Sequence, residues 1–121
     1  MNKRFTKSHE WIEWEGRHGI VGITHYAQKE LGDIVYAELP RVGETVNGGQ
    51  QVCTLESTKA ASDVYAPVSG KISAVNVEAA NNPGLINEAA ESKGWLFRIE
   101  LSNPEETKAL LSKAEYEHLM H

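Results

Sequence analysis

The stretch Leu55-Glu56-Ser57-Thr58-Lys59-Ala60-Ala61-Ser62-Asp63 decides how this chain is read. It holds one basic residue, Lys59, among short or small side chains, with Glu56 three positions before it and Asp63 four after. Gln51–Ser57 and Ser62–Ala66 read as the two arms of a hairpin whose tip is Thr58-Lys59-Ala60-Ala61. The strand period puts Val52, Thr54 and Glu56 on one face and Cys53, Leu55 and Ser57 on the other. Gly48 lies eleven residues before Lys59 and Gly70 eleven after it. Lys59 is therefore the midpoint of a strand–turn–strand unit that turns at both ends. Glu56 and Asp63 lie on opposite arms and are expected to meet across the hairpin neck.

The flanking sequence extends this β pattern. Glu10–Glu15 and Gly19–Ile23 read as strands joined at Glu15-Gly16-Arg17-His18, where glycine supplies the positive φ. Thr24 caps a short helix, Tyr26–Leu31, that stops at Gly32. Asp33–Leu39 returns to strand and ends at Pro40. Lys71–Val77 is a further strand, and Asn81-Asn82-Pro83-Gly84 is a loop. Trp95, Phe97, Ile99 and Leu101 alternate with Leu96, Arg98 and Glu100, a half-buried strand. Asn103-Pro104-Glu105-Glu106 starts a helix, with Asn as cap and Pro in the first position. Ser112 and Glu115 form a capping box that starts a second short helix.

Composition narrows the class. The 121 residues point to a single domain, residues 1–121, with a helical tail over about 103–121, and suffice for a hydrophobic core without metals or disulfides. Hydrophobic residues make up 40% and charged residues 24%, and net charge is −5. An acidic chain without a basic block argues against nucleic acid and anionic lipid as partners. One cysteine, Cys53, rules out an internal disulfide and fits a reducing compartment. No apolar run of signal-peptide or membrane-span type occurs, and strand-like sequence follows Met1 directly, so a cytoplasmic location is expected.

An exposed lysine at a hairpin tip is ordinarily a solubilising charge. The symmetric setting, the low bulk of Ala60, Ala61 and Ser62, and the bracketing acids suit another role. A lysine acylated by a second enzyme must enter that enzyme's pocket. Its neighbours must be short, and a preformed hairpin lowers the ordering cost of docking. Acylation removes the ammonium charge and makes the side chain a tether. Biotin carriers usually place methionine on both sides of the lysine, whereas Thr58 and Ala60 stand here. Glu at −3 and Ala at +1 look like lipoyl carriers.

The chain resembles the H proteins of the glycine cleavage system. The resemblance runs through Phe5-Thr6-Lys7-Ser8-His9-Glu10-Trp11, Val21–Gln28, Leu31-Gly32-Asp33-Ile34-Val35 and Glu56–Asp63. It continues through Pro67-Val68-Ser69-Gly70, Asn82–Asn87 and Gly94-Trp95-Leu96, and so covers nearly the whole chain. It departs at Thr58, where the family usually has Val, and over Glu88–Lys93, where a Pro-Tyr pair is common. The resemblance implies a mostly β barrel-sandwich hybrid of the lipoyl/biotinyl-carrier kind, with a short helix after the first hairpin and a C-terminal helical tail. It implies lipoate in amide linkage on Lys59 and no chemistry performed by the carrier itself. It also implies an aminomethyl group taken from glycine decarboxylase, delivered to an aminomethyltransferase, and electrons passed to dihydrolipoyl dehydrogenase. It implies further that a lipoate ligase or lipoyltransferase installs the cofactor, and Glu56 is expected to be a recognition residue for that enzyme. By the same resemblance Ser8, Glu10 and Asp63 line a cleft that shelters the loaded arm.

Simpler readings stand beside these. Glu10 and Asp63 also read as plain surface acids, and Trp11, Trp14 and Trp95 as core or rim packing. Cys53 reads as a buried small hydrophobe. His118 and His121 are three apart at a terminus and make no metal site. The alternatives to the glycine-cleavage carrier are a lipoyl relay, a carrier for another lipoyl-dependent pathway, or an interaction domain whose Lys59 is never modified.

Overall fold

A computed structural model describes residues 2–120; His121, the partner considered for His118, lies outside them. In chain order the strands and helices are Asn2–Phe5 (β1), Glu10–Glu15 (β2), His18–Ile23 (β3), His25–Leu31 (α1), Ile34–Glu38 (β4), Thr45–Val46 (β5) and Gln51–Ser57 (β6). Ala61–Tyr65 (β7), Gly70–Val75 (β8), Val77–Asn81 (α2), Gly84–Glu88 (α3) and Phe97–Leu101 (β9) follow. A 3₁₀ turn at Pro104–Ala109 and Lys113–Met120 (α4) complete the described chain. The strands form a six-stranded sheet in the order β1-β2-β3-β9-β8-β5 and a three-stranded sheet in the order β4-β6-β7. All the strand pairs are antiparallel. The mostly β, two-sheet architecture expected from the sequence is the one observed.

Alternation builds the core between the sheets. Ile12, Val21 and Ile23 meet Ile72, Phe97, Ile99 and Leu101 from the large sheet and Cys53, Leu55 and Val64 from the small one. Removing a side chain such as Leu55 from water contributes roughly 1.5–3 kcal/mol. A second cluster, Phe5, Trp11 and Tyr116, lies where α4 covers β1 and β2, with Trp95 packed against it. The packing roles read for the tryptophans and for Cys53 are the ones found. Trp14 packs against the main core, and the Trp11 indole N–H also donates to Ala90 O at 3.0 Å.

Local signals mostly end where the sequence says. Gly16 turns β2 into β3 with φ +60°. Thr24 Oγ1 accepts the Ala27 N–H at 3.2 Å, and Gly32 closes α1. Ser112 and Glu115 form the capping box reciprocally, at 2.8 and 3.2 Å. Asn103 caps the segment after β9 by accepting the Glu105 N–H, but that segment is 3₁₀ rather than α. Other boundaries differ. Val77, expected at a strand end, opens α2, and the supposed loop Asn81–Gly84 is only the break between α2 and α3. Asn82 and Pro83 interrupt two helices of 5 residues each, too short to show a helical period in the sequence. Leu96, expected to alternate with the apolar residues alongside Arg98 and Glu100, does not share their exposure. It is fully buried just before β9 begins.

Candidate functional site

The Lys59 hairpin is present: its first arm is the expected Gln51–Ser57, while its second, Ala61–Tyr65, starts one residue earlier than expected, which shortens the tip to Thr58-Lys59-Ala60. Leu55 pairs with Ser62 and Thr54 with Asp63, while Glu56 faces Ala61. Glu56 and Asp63 therefore do not meet across the neck. They occupy diagonal positions on one face, separated by the strand register. Both are exposed, as are Thr58, Lys59, Ala60 and Ala61.

Ser57 holds the tip together. Its Oγ accepts the N–H groups of Lys59 at 3.1 Å and Ala60 at 3.0 Å, and donates to Ala60 O at 3.1 Å. Its own N–H donates to Ala60 O at 2.7 Å. A serine hydroxyl serving amides two and three residues ahead mimics a backbone turn. Reading the tip only for its lysine misses this role, although Ser57-Thr58-Lys59-Ala60 carries the signal. The Thr58 N–H donates to Asp33 O at 3.0 Å, tying the tip to the start of β4.

Behind the tip lies a cleft of about 540 Å³. The Ser8-His9-Glu10 turn forms one wall, Tyr26, Glu30 and Leu31 of α1 form another, and Lys59–Asp63 form the third. Ile23, Leu55 and Val64 supply apolar lining. The structure thus brings Ser8, Glu10, Asp63 and Lys59 to one cavity, and leaves Glu56 outside its lining.

Glu10 is not a surface acid: it is 1% exposed. Its Oε1 accepts from the hydroxyls of Thr6 and Ser8, the latter at 2.6 Å, and its Oε2 accepts the Tyr65 N–H at 3.2 Å. Burial pushes its carboxyl above the ordinary value, and the hydrogen bonds from Ser8, Thr6 and Tyr65 pull it back part of the way. Asp63 keeps to the surface and accepts from Gln51 Nε2 at 3.1 Å.

His9 enters the site by its backbone, with φ +71°, a left-handed conformation that few side chains accept. Its Nδ1 is hydrogen bonded to the Tyr116 hydroxyl at 2.8 Å, and that hydroxyl also meets Thr24 Oγ1 at 2.8 Å. Burial lowers the His9 pKa, while the Glu30 charge raises it. The C-terminal helix therefore braces the cleft wall through Tyr116, 107 positions from His9. No local signal in the sequence announces that contact. Among the described residues no cluster of His, Cys, Asp and Glu is arranged to hold a metal ion.

The glycine cleavage H-protein family model matches residues 3–121. The chain belongs to the glycine cleavage H-protein family. It is 50% identical over 117 residues to the glycine cleavage system H protein of Carboxydothermus hydrogenoformans, covering 97% of this chain and 90% of that one. It is 49% identical over 115 residues to the H protein of Thermotoga maritima, covering 95% and 93%. The crystal structure of a glycine cleavage system H protein from Mycobacterium marinum superposes with a TM-score of 0.89 at 37% identity, over 96% of this chain and 94% of that one. H proteins are the lipoyl carriers of the glycine cleavage system: they are carrier subunits rather than catalysts, and bear lipoate covalently on a lysine. The partners of this chain accordingly belong to that system. Among the described residues no helix is long and apolar enough to cross a membrane.

Proposed function

We propose that Lys59 is the lysine that carries the family's lipoate, and that the adjoining cleft receives the loaded arm. The observation that carries this is the placement of Lys59, exposed on an ordered tip at the mouth of a cavity shared with Ser8, Glu10 and Asp63. The residues present fit the group. Ala60 and Ala61 leave the ammonium open to a ligase, Ile23, Leu31, Leu55 and Val64 suit an aliphatic chain, and the acids suit an amine at its end. The lipoyl group, when bound, supplies a disulfide that accepts and passes on a one-carbon amine fragment and two electrons. The chain's own part is to present, shelter and release. Tethering holds the cargo at high local concentration beside each docked enzyme. Drawing the arm into the cleft excludes water that would hydrolyse the cargo.

The enzymes served are glycine decarboxylase, aminomethyltransferase and dihydrolipoyl dehydrogenase, with a lipoate ligase or lipoyltransferase acting first. Glu56, exposed on the outer face of β6, is offered to that modifying enzyme as a recognition charge. A cytoplasmic setting belongs to this reading, and the free, buried thiol of Cys53 is at home there.

Intact mass after incubation with lipoate, ATP and a lipoate ligase tests the assignment. One lipoyl adduct is expected, and Lys59→Arg abolishes it. An adduct that survives Lys59→Arg, or no adduct on the parent chain, overturns the reading. Exchange of labelled bicarbonate into glycine with a cognate decarboxylase then tests the pathway.

A further inference from the structure

The Lys59 side chain does not leave the tip unsupported. It lies along Gly32, the residue that closes α1. A methyl group built on Gly32 would stand 2.9 Å from Lys59 Cε and 3.5 Å from Nζ. Gly32 has φ +79°, so glycine meets two needs there, a left-handed backbone and bare clearance under the lysine.

The turn containing Gly32 is gripped from both sides. On the hairpin side Asp33 O accepts the Thr58 N–H at 3.0 Å. On the other side stands Asn87 of α3. Its Nδ2 donates to Gly32 O at 2.9 Å and to Gln28 Oε1 at 3.0 Å, and its Oδ1 accepts the Ile34 N–H at 2.9 Å. One side-chain amide thus satisfies α1, the turn and the first residue of β4. The turn presents a carbonyl and an N–H to the same neighbour, so the neighbour must carry both a donor and an acceptor. A carboxamide does, and an ionised carboxylate does not.

We propose that the Gly32–Ile34 turn is a seat that holds Lys59 at the mouth of the cleft, presented to a ligase, with Gly32 as the bare surface under the lysine methylenes and Asn87 as the clamp that fixes the turn. Both are positioning residues: Gly32 acts on the direction of the lysine, and Asn87 acts through the turn on the tip. The inference rests on the assignment of Lys59 as the acylated residue. If the seat is lost, the tip spends less time in the form a ligase accepts. That raises the apparent KM for the carrier and leaves kcat in place.

The test begins on the unlipoylated chain by NMR. An NOE between Lys59 Hε and Gly32 Hα is expected, together with slow exchange of the Thr58 amide. Gly32→Ala removes the NOE and lowers kcat/KM for ligase-catalysed attachment through KM. Gly43→Ala and Gly49→Ala control for backbone strain. Both sites have positive φ, at +93° and +86°, and a methyl group built there meets nothing within 4 Å. They keep the NOE and the parental attachment rate. Asn87→Ala deletes three hydrogen bonds around the turn; at about 0.5 kcal/mol each this speeds Thr58 exchange by about tenfold, and it raises KM. Ile99→Val, a core change with comparable loss of thermal stability, alters neither. Absence of the NOE in the parent chain overturns the seat. So does normal attachment to Gly32→Ala, or an Ile99→Val effect equal to that of Asn87→Ala. A parent chain that takes up no lipoate counts against the Lys59 assignment instead, while the NOE and Thr58 exchange still judge the seat.

Discussion

Consider Ser57→Ala. The substitution deletes the hydroxyl that accepts from Lys59 and Ala60 and donates to Ala60 O, but keeps the Ser57 N–H to Ala60 O bond of the hairpin. A typical intramolecular hydrogen bond is worth about 0.5–1.5 kcal/mol net. Lys59 and Ala60 are exposed, so water replaces part of each lost bond and the lower figure applies. Three bonds then give about 1.5 kcal/mol, confined to the tip, or roughly tenfold in the local opening equilibrium. The assay is amide exchange by NMR on the unmodified chain. Lys59 and Ala60 should exchange roughly tenfold faster, while Leu55 and Val64 in the adjoining arms stay protected and the thermal midpoint barely moves. Unchanged exchange at Lys59 and Ala60 would refute the claim that this hydroxyl organises the tip. A uniform loss of protection through β6 and β7 would refute the claim that its effect is local.

Glu10 predicts a pH signature. Its folded pKa lies above the unfolded one because burial disfavours the charge, so the folded state binds the proton more tightly. That contribution to stability is full below the ordinary carboxylate range and drains away as pH rises through the raised value. Glu10→Gln has no such slope, so denaturant melts should show the variant gaining on the parent from acid to neutral pH; the opposite trend contradicts the assignment. Cys53, whose thiol burial pushes far up, should resist maleimide in the folded chain and react fully once denatured, as read by intact mass. Gly70→Ala places a methyl group against the Glu100 carbonyl oxygen and the Ile99 side chain in the paired strand. It should cost about 1–3 kcal/mol, as overpacking typically does, visible as a lowered thermal midpoint; an unmoved midpoint counts against the close approach of β8 to β9 at this position.

The residues that act through local rules were legible in the sequence. Gln51–Ser57 shows its strand period, Thr24 its cap and Ser112–Glu115 its capping box, because each signal spans a few positions. The place of Lys59 at an exposed hairpin tip was legible for the same reason, with its small neighbours and paired glycines. The burial of Glu10 was not. Its donors Thr6 and Ser8 are adjacent, but the strand that covers it, with Tyr65, comes 55 residues later. Asn87 and Tyr116 act only across long sequence separations, and their residue types are common in ordinary surface roles. The Glu56–Asp63 encounter failed on register. Positions −3 and +4 about a lysine fix opposite arms, but the pairing of Glu56 with Ala61 is set by how many residues the tip consumes.

The place of β9 has a consequence for when the carrier can be loaded. It is the last strand synthesised, yet it lies inside the large sheet, between β3 and β8. Until Phe97–Leu101 leave the ribosome, that sheet is two unjoined halves, and the core that the Lys59 hairpin shares with Phe97 and Ile99 is unfinished. The ordered tip that a modifying enzyme would require is therefore complete only once β9 has joined β3 to β8.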